Sequence, residues 1–303
     1  MARKLSRSQH LLQRTIEVLG QQGIQGSLVG TTGPGSASVQ AKRQIEAGCD
    51  LILAAGGDGT INEVANGMAY SGVPLAIIPC GTANVLARET RIPIDIVSSV
   101  RDVSHMMPTR VAMGMLRMGN FEQRSFLCMA GAGLDADVVC QVNLDLKAAL
   151  GKLAYYIAGF SQVLRPLAEF EVVIDGKSYE ASFALISRVR NYGGDLEIAR
   201  GASLLRNEFQ VVLFRGKHSL QYLPYLAAVG LRLADRMNGC TFVYGRSVTC
   251  NPSNGEGIFA QVDGELAGKL PFSAEIMPDA LTLLLPASYV AKERSAVDMR
   301  VCA

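Results

Sequence analysis

The stretch GGDGT, residues 56–60, combines residue types that suit phosphate binding. It follows an apolar run, and its glycines lack the Cβ atoms that would keep a phosphate away from backbone N–H groups. Thr60 and Glu63 have the spacing of a capping box, which predicts a helix that begins at Thr60 with its positive end facing the turn. A turn of this kind favours an anion such as phosphate.

Asp58 lies in the middle of this turn, where its carboxylate would repel a bound phosphate. A cation between the two groups removes that conflict, and the simplest cation is the Mg²⁺ that a nucleotide carries. The alternative is an ordinary strand-to-helix turn in which Asp58 bonds its own backbone. The residues of this turn do not decide between the two interpretations.

A second turn, GTAN at residues 81–84, also follows an apolar run and precedes a helical pattern. It brings Thr82 and Asn84 to the same carboxyl edge of the predicted sheet, which is where open α/β sheets bind ligands. Two such turns separated by one helix favour the phosphate interpretation. The alternative for Thr82 is a plain helix N-cap.

The elements that position these turns form a predicted α/β domain. Short apolar strands at 51–55 and 75–78 alternate with helical patterns at 39–47 and 61–69, which indicates a parallel sheet covered by helices. Beyond about residue 107 the pattern becomes β-rich and indicates an antiparallel sandwich or barrel, interrupted by helices at 146–164 and 220–237. Its strands are predicted at 111–118, 125–129, 170–174, 179–186, 209–214, 241–249, 258–262 and 281–285. The strongest hairpin signal is Asp175-Gly176.

Composition excludes several classes of protein. A chain of 303 residues with 49% apolar and 18% charged residues is folded, and its length predicts about two domains. A net charge of +2 gives no argument for nucleic acid. Seven cysteines without a CxxC pair or neighbouring histidines indicate neither zinc nor a disulfide framework, so a reducing cytoplasm is expected. No stretch is expected to span a bilayer.

Five motifs, taken in order, resemble the diacylglycerol kinase catalytic-domain family, which includes bacterial lipid kinases and sphingosine and ceramide kinases. The resemblance runs from about Thr31 to near the C-terminus. The first motif is shared with NAD kinases, whereas the ordered set is specific to the lipid kinases. The motifs are GGDGTINEVANGM (56–68), IPCGTANVLARE (78–89), GAGLDADVV (131–139), LGKLAYYIAGF (150–160) and QVDGELAG (261–268).

The resemblance implies a two-domain fold with the active site in the cleft between the domains. An α/β nucleotide-binding domain, residues 1–108, would precede a mainly antiparallel β-sandwich lipid-substrate domain, residues 109–286, and a segment at about 287–303 would return to the first domain. ATP and Mg²⁺ are the implied cofactors, with Asp58 acting through the nucleotide-bound magnesium. The implied ATP contacts are Thr31, Gly56, Gly57, Asp58, Gly59, Thr60, Ile61, Asn62, Gly81, Thr82 and Asn84.

The segment VDGE matches the part of the family that supplies the base for the lipid hydroxyl. We predict Asp263 for this role, with Glu265 as the rival assignment. Without the resemblance, Asp263-Gly264 is a hairpin turn. An apolar set recurs at helical spacing, which is typical of core packing and would also suit an acyl-chain groove. Its members are Leu150, Leu153, Ile157 and Phe160.

Two departures from the family bear on activity. Family members usually begin with a strand and an Asn-Pro-x-Ser/Ala-Gly turn that covers the nucleotide, whereas this sequence opens with a helical pattern, which leaves ATP binding open. Relatives also have Asp-Gly where Arg206-Asn207 stand, and that aspartate belongs to a structural magnesium site. Because arginine cannot ligate Mg²⁺, that site is not carried over.

The sequence therefore predicts an ATP-dependent lipid kinase that transfers the γ-phosphate to a diacylglycerol-like or sphingoid hydroxyl. The expected partners are a lipid substrate and a transiently contacted membrane surface, without nucleic acid, and the resemblance leaves room for a homodimer. The expected location is cytoplasmic and peripheral to the membrane. Two alternatives stay open: a catalytically weak or inactive lipid-binding regulator, and an NAD kinase-like small-molecule kinase.

Overall fold

The structure, a computed structural model, describes residues 14–119, 122–133, 167–192, 196–217, 224–225, 228, 237–253 and 257–301. The predicted helix at 146–164 and most of that at 220–237 lie outside these residues. So do the motif at 150–160 and most of the motif at 131–139.

The chain divides into two compact units, the first comprising residues 1–110 and 281–303 and the second residues 111–280. The helices of the first unit are α1 (14–21), α2 (Ser36–Glu46), α3 (Asp58–Met68), α4 (Val85–Thr90), α5 (Ile96–Asp102) and α6 (Ala287–Val301), with a 3-10 turn at Val103–His105. Its first two strands are β1 (Ile52–Gly56) and β2 (Pro74–Pro79).

The first unit is built on a parallel sheet, as the alternating pattern predicts. Strands β1 and β2 pair in parallel, and Gly56 at the end of β1 lies opposite Pro79 at the end of β2. The last part of β16 (Phe272–Pro286) also runs parallel to β2. Ile78 of β2 packs with Leu19 of α1 and Val100 of α5, so helices cover the apolar strand. The carboxyl ends of β1 and β2 therefore meet at one edge.

The second unit contains two antiparallel sheets, which confirms a β-sandwich. One contains the order β13-β6-β7 with β3, β4 and the first part of β16, and the other has the order β12-β11-β8-β5-β14-β15. The strands are β3 (Met106–Met118), β4 (Gln123–Phe126), β5 (Met129–Gly133), β6 (Phe170–Ile174), β7 (Lys177–Ala181), β8 (Phe183–Ser187), β11 (Phe209–Phe214), β12 (Cys240–Gly245), β13 (Ser247–Pro252), β14 (Phe259–Val262) and β15 (Glu265–Lys269), while the two-residue strands β9 (Asn191–Tyr192) and β10 (Leu196–Glu197) pair separately.

Alternate side chains of the two sheets form one core in the second unit. Phe126, Phe209 and Phe272 are among the buried residues of this cluster. Burial of every second residue is the pattern expected of strands that face a core on one side. Among the described residues, no helix has both the length and the apolar composition needed to cross a bilayer.

Three predicted strands are each divided into two. The run at 179–186 breaks at Ser182, and the run at 241–249 breaks at Arg246. The run at 125–129 breaks at residues 127–128, between β4 and β5. The breaks at Arg246 and at 127–128 coincide with aspartate side chains that accept hydrogen bonds from backbone N–H groups, so local bonding competes with the strand ladder there.

Candidate active site

The two glycine turns of the first unit pack directly on each other. They follow β1 and β2, and the N–H of Cys80 donates to the Gly56 carbonyl at 2.9 Å. A Cβ added to Gly81 would lie 2.6 Å from the Cα of Gly57, a separation that real Cβ atoms do not adopt. Glycine is therefore required for this approach, and the predicted phosphate residues of both turns share one edge of the sheet.

Helix α3 begins at Asp58, two residues earlier than the capping box predicts. Its N-cap is Gly57, and the N–H of Ile61 donates to the Gly57 carbonyl at 3.0 Å. The capping-box prediction is wrong because the extended glycine already closes the first turn, and Glu63 instead accepts from the Ala37 N–H at 3.3 Å. The N–H groups of this first turn have no intrahelical acceptor and carry the positive end of the helix dipole.

Asp58 connects the two turns. Its Oδ1 accepts from the N–H of Leu86 in α4 at 3.3 Å. The alternative in which Asp58 bonds its own backbone therefore does not describe this contact. Within the described part of the chain its second carboxylate oxygen accepts no hydrogen bond. A carboxylate oxygen therefore remains for a cation at the start of α3.

Asn84 shapes the second turn from within. It is buried, has a φ of 48°, and is the N-cap residue of α4. Its amide oxygen accepts from the Gly81 N–H and its amide nitrogen donates to the Gly81 carbonyl, both at 2.9 Å. Thr82 is thus not the N-cap and lies exposed at the tip of the turn, where its hydroxyl can reach a ligand.

The remaining residues that are predicted to contact ATP differ in their exposure and in their hydrogen bonds. Ile61 is buried and its N–H already donates to the Gly57 carbonyl, so it serves the helix start and not a ligand. Asn62 is half-buried, and its carbonyl accepts from the Asn66 side chain at 2.8 Å. Thr31 is exposed in the segment before α2, where the Ser36 hydroxyl accepts from the next N–H, that of Thr32.

In the second unit, Asp263-Gly264 forms the predicted hairpin turn. Asp263 has a φ of 48° and Gly264 a φ of 81°, which is the geometry of a two-residue turn between β14 and β15. The Asp263 carboxylate accepts the N–H groups of Leu127, Cys128 and Met129 at 3.2, 3.0 and 2.8 Å. These donors stabilise the charged carboxylate and hold it between the strands.

Asp175 performs the same structural task at the other Asp-Gly hairpin. Its φ is 45°, and its carboxylate accepts from the N–H groups of Arg246 and Ser247. An aspartate that opens a hairpin and binds the backbone of a neighbouring strand is thus a repeated device of this sandwich.

Glu265, the rival base, has different surroundings. Its side chain is 59% exposed, and its Oε2 lies 2.8 Å from Nη2 of Arg124. Nothing in the spacing of the sequence singles out Arg124, because the two residues are far apart in the chain. They meet because β4 leads into β5, and β5 pairs with β14 of the hairpin that carries Glu265.

Arg206, which stands where the resemblance implies a magnesium-binding aspartate, contacts an acidic side chain and an aromatic ring. The Arg206 guanidinium lies 3.0 Å from the Glu208 carboxylate and 5.6 Å from the centre of the Tyr244 ring. Buried Arg188 donates to the carbonyls of Leu204, Arg206 and Glu208 and fixes the loop. Over the described ranges, no group of three or more His, Cys, Asp or Glu could hold a metal ion.

Comparison with known proteins relates both units to one family. Residues 5–116 match the diacylglycerol kinase catalytic domain, and residues 128–285 match the YegS C-terminal NAD kinase beta sandwich-like domain. A diacylglycerol kinase of Bacillus subtilis (strain 168) is 31% identical over 271 residues, which cover 86% of each chain. One of Staphylococcus aureus (strain JH9) is 30% identical over 258 residues, covering 84% of this chain and 80% of that protein.

A solved structure agrees with the fold. The crystal structure of a diacylglycerol kinase from Bacillus anthracis str. Sterne superposes with a TM-score of 0.75 at 20% identity, covering 92% of both chains. On the evidence of the sequence relatives and the two matched domains, the chain belongs to the diacylglycerol kinase catalytic-domain family.

Proposed function

We propose that the chain is an ATP- and Mg²⁺-dependent lipid kinase that transfers the γ-phosphoryl group to the hydroxyl of diacylglycerol or a related lipid. The observation that carries the proposal is the direct packing of two glycine turns at the carboxyl ends of β1 and β2. Relatives named diacylglycerol kinase, 30–31% identical over more than four fifths of the chain, support the choice of acceptor.

The first unit fits the phosphates of ATP. A Cβ at Gly81 would force the two packed turns apart, and the first turn of α3 presents backbone N–H groups to an anion. Thr82 would add a hydroxyl. When bound, ATP supplies the phosphoryl group and Mg²⁺ neutralises its developing charge. Asp58 offers a single carboxylate, which suits a metal that arrives with the nucleotide.

Glu265 is the better candidate for the group that accepts the hydroxyl proton. Three backbone N–H groups engage the Asp263 carboxylate, whereas the Glu265 side chain is exposed. A general base must reach the proton it accepts, so the more accessible carboxylate suits that task. Asp263 would then hold the turn that presents Glu265.

One observation favours the non-catalytic alternative. Arg206 is paired with Glu208 in a loop where relatives of the family place an acidic residue. A protein that lost a metal there and kept its lipid contact would bind lipid without turnover. A lipid substrate would in either case bring the protein to a membrane surface.

Phosphoryl transfer to a panel of acceptors separates these accounts. Purified protein would be incubated with γ-labelled ATP, Mg²⁺ and micellar diacylglycerol, a sphingoid base, or NAD. Labelled lipid without labelled NADP supports the proposal and identifies the acceptor. Labelled NADP alone would favour the small-molecule kinase, and ATP or lipid binding without transfer to any acceptor would favour the regulator.

A further inference from the structure

We infer that Arg124 is a positioning residue for Glu265, an inference that rests on the proposed function. Arg124 lies in β4, in register with Leu116 of β3, so its backbone belongs to a strand ladder. Its Nη2 donates to Oε2 of Glu265 at 2.8 Å and its Nη1 to the Leu266 carbonyl at 3.4 Å. One guanidinium therefore holds both the side chain of Glu265 and the backbone that follows it.

The same stretch of chain holds the hairpin at a second point. Residues 127–129, which follow the end of β4, donate their N–H groups to the Asp263 carboxylate. The two acidic residues of the hairpin are thus fixed by one segment, Asp263 by backbone and Glu265 by a side chain. Asp263 sets the path of the turn, and Arg124 sets the direction of the Glu265 carboxylate.

Stability does not explain the ion pair. The Arg124 and Glu265 side chains are 30% and 59% exposed, and ion pairs this exposed contribute little to folding. Arg117 and Glu275 form a comparable exposed pair between β3 and β16 of the same unit. That pair lies on strands other than the Asp263 hairpin, so it provides a matched control.

The guanidinium leaves one carboxylate oxygen of Glu265 for chemistry. It binds Oε2, and within the described residues Oε1 accepts no hydrogen bond. Without Arg124, the two aliphatic torsions of an exposed glutamate spread over up to about nine staggered combinations. If one of these combinations presents Oε1 to the substrate hydroxyl, loss of Arg124 lowers the fraction of Glu265 side chains in that conformation. The value of kcat should then fall in proportion, by about five- to tenfold.

The test measures kcat and the KM for ATP in Arg124→Gln, Arg124→Lys, Arg117→Gln, Glu265→Gln and the double variant Arg124→Gln/Glu265→Gln. We expect Arg124→Gln to lower kcat by about five- to tenfold with an unchanged KM for ATP. Arg124→Lys should recover part of the loss because it restores a cation. Arg117→Gln should match the wild type. Thermal unfolding of each variant checks that the fold is intact.

The double variant decides whether Arg124 acts through Glu265. If it does, the double variant retains the residual rate of Glu265→Gln, because the positioned group is already gone. An Arg124→Gln enzyme as fast as the wild type would overturn the inference, as would a double variant slower than Glu265→Gln by the full single-variant factor. An active wild type unaffected by Glu265→Gln would instead remove the base assignment, and the inference with it, while leaving the kinase activity standing.

Discussion

At the scale of single residues, the two carboxylates of the VDGE segment have different surroundings. The sequence predicts Asp263 as the base, with Glu265 two positions later as the rival. Only the folded chain shows that distant N–H groups engage Asp263, while Glu265 meets a single arginine. Contacts between residues more than a hundred positions apart leave no local spacing, so sequence patterns could not predict these surroundings.

The anchoring role of Asp263 predicts a loss of stability. Asp263→Asn replaces one accepting oxygen with a donating amide opposite backbone N–H groups, and we expect the free energy of unfolding to fall by about 1–3 kcal/mol. Asp175→Asn should cause a similar fall, because Asp175 also binds backbone N–H groups. Denaturant unfolding measures both. Wild-type stability with abolished transfer in Asp263→Asn would instead make Asp263 the base.

Asp58 is expected to act on the metal and not on the fold. Asp58→Asn keeps an oxygen for the Leu86 N–H but removes the negative charge beside the phosphates. The Mg²⁺ concentration for half-maximal transfer should therefore rise, whereas ATP binding without Mg²⁺ should be unchanged or tighter. Asp95→Asn, at the N-cap of α5, is the control. Weaker ATP binding without metal in Asp58→Asn would contradict the assignment.

At the scale of elements, the carboxyl edge of β1 and β2 is the feature that the sequence predicts best. Short apolar strands and glycine turns locate both turns correctly, because parallel neighbours place their carboxyl ends together. The helix start was predicted two residues too late. A capping-box pattern cannot reveal that the extended Gly57 already takes the N-cap position.

The close approach of the two turns predicts a steric effect at Gly81. In Gly81→Ala the new Cβ would lie 2.6 Å from the Gly57 Cα, so the turns must separate. A displacement of about 1 Å in a positioning element can lower a rate by about 100-fold, and we expect a fall of that size in transfer. Gly20→Ala, whose Cβ meets nothing within 4 Å, should leave transfer unchanged. Equal rates in both variants would mean that the close packing of the two glycine turns is not needed for transfer.

The reactivity of Cys80 tests whether ATP binds at the carboxyl edge of β1 and β2. It is exposed next to the second turn, and partial burial of the thiol raises its pKa above the ordinary value of 9. Less thiolate is then present at neutral pH, so maleimide labelling should be slow there and accelerate as the pH rises toward and past that value. ATP should slow the labelling, with Cys80→Ser as the control. Labelling at the same rate with and without ATP would place the nucleotide elsewhere.

At the scale of the whole molecule, the order of α/β and β-rich segments was enough to predict the fold class. The chain divides at residues 110 and 280, and residues 281–303 belong to the first unit. Periodicity cannot predict such a return, because it reports the type of an element and not its neighbours. The division of the runs 125–129 and 241–249 has a related cause, since aspartates from other strands accept N–H groups there.

The most direct test of the proposed lipid kinase activity is transfer of the labelled γ-phosphate from ATP to micellar diacylglycerol by the wild type and by Glu265→Gln, assayed side by side. Because a general base contributes about 100- to 10,000-fold, we expect labelled lipid from the wild type and at least about 100-fold less from the variant. ATP binding should be the same in both proteins. Folded wild-type protein that binds ATP and labels no lipid, or a variant as fast as the wild type, would contradict this expectation.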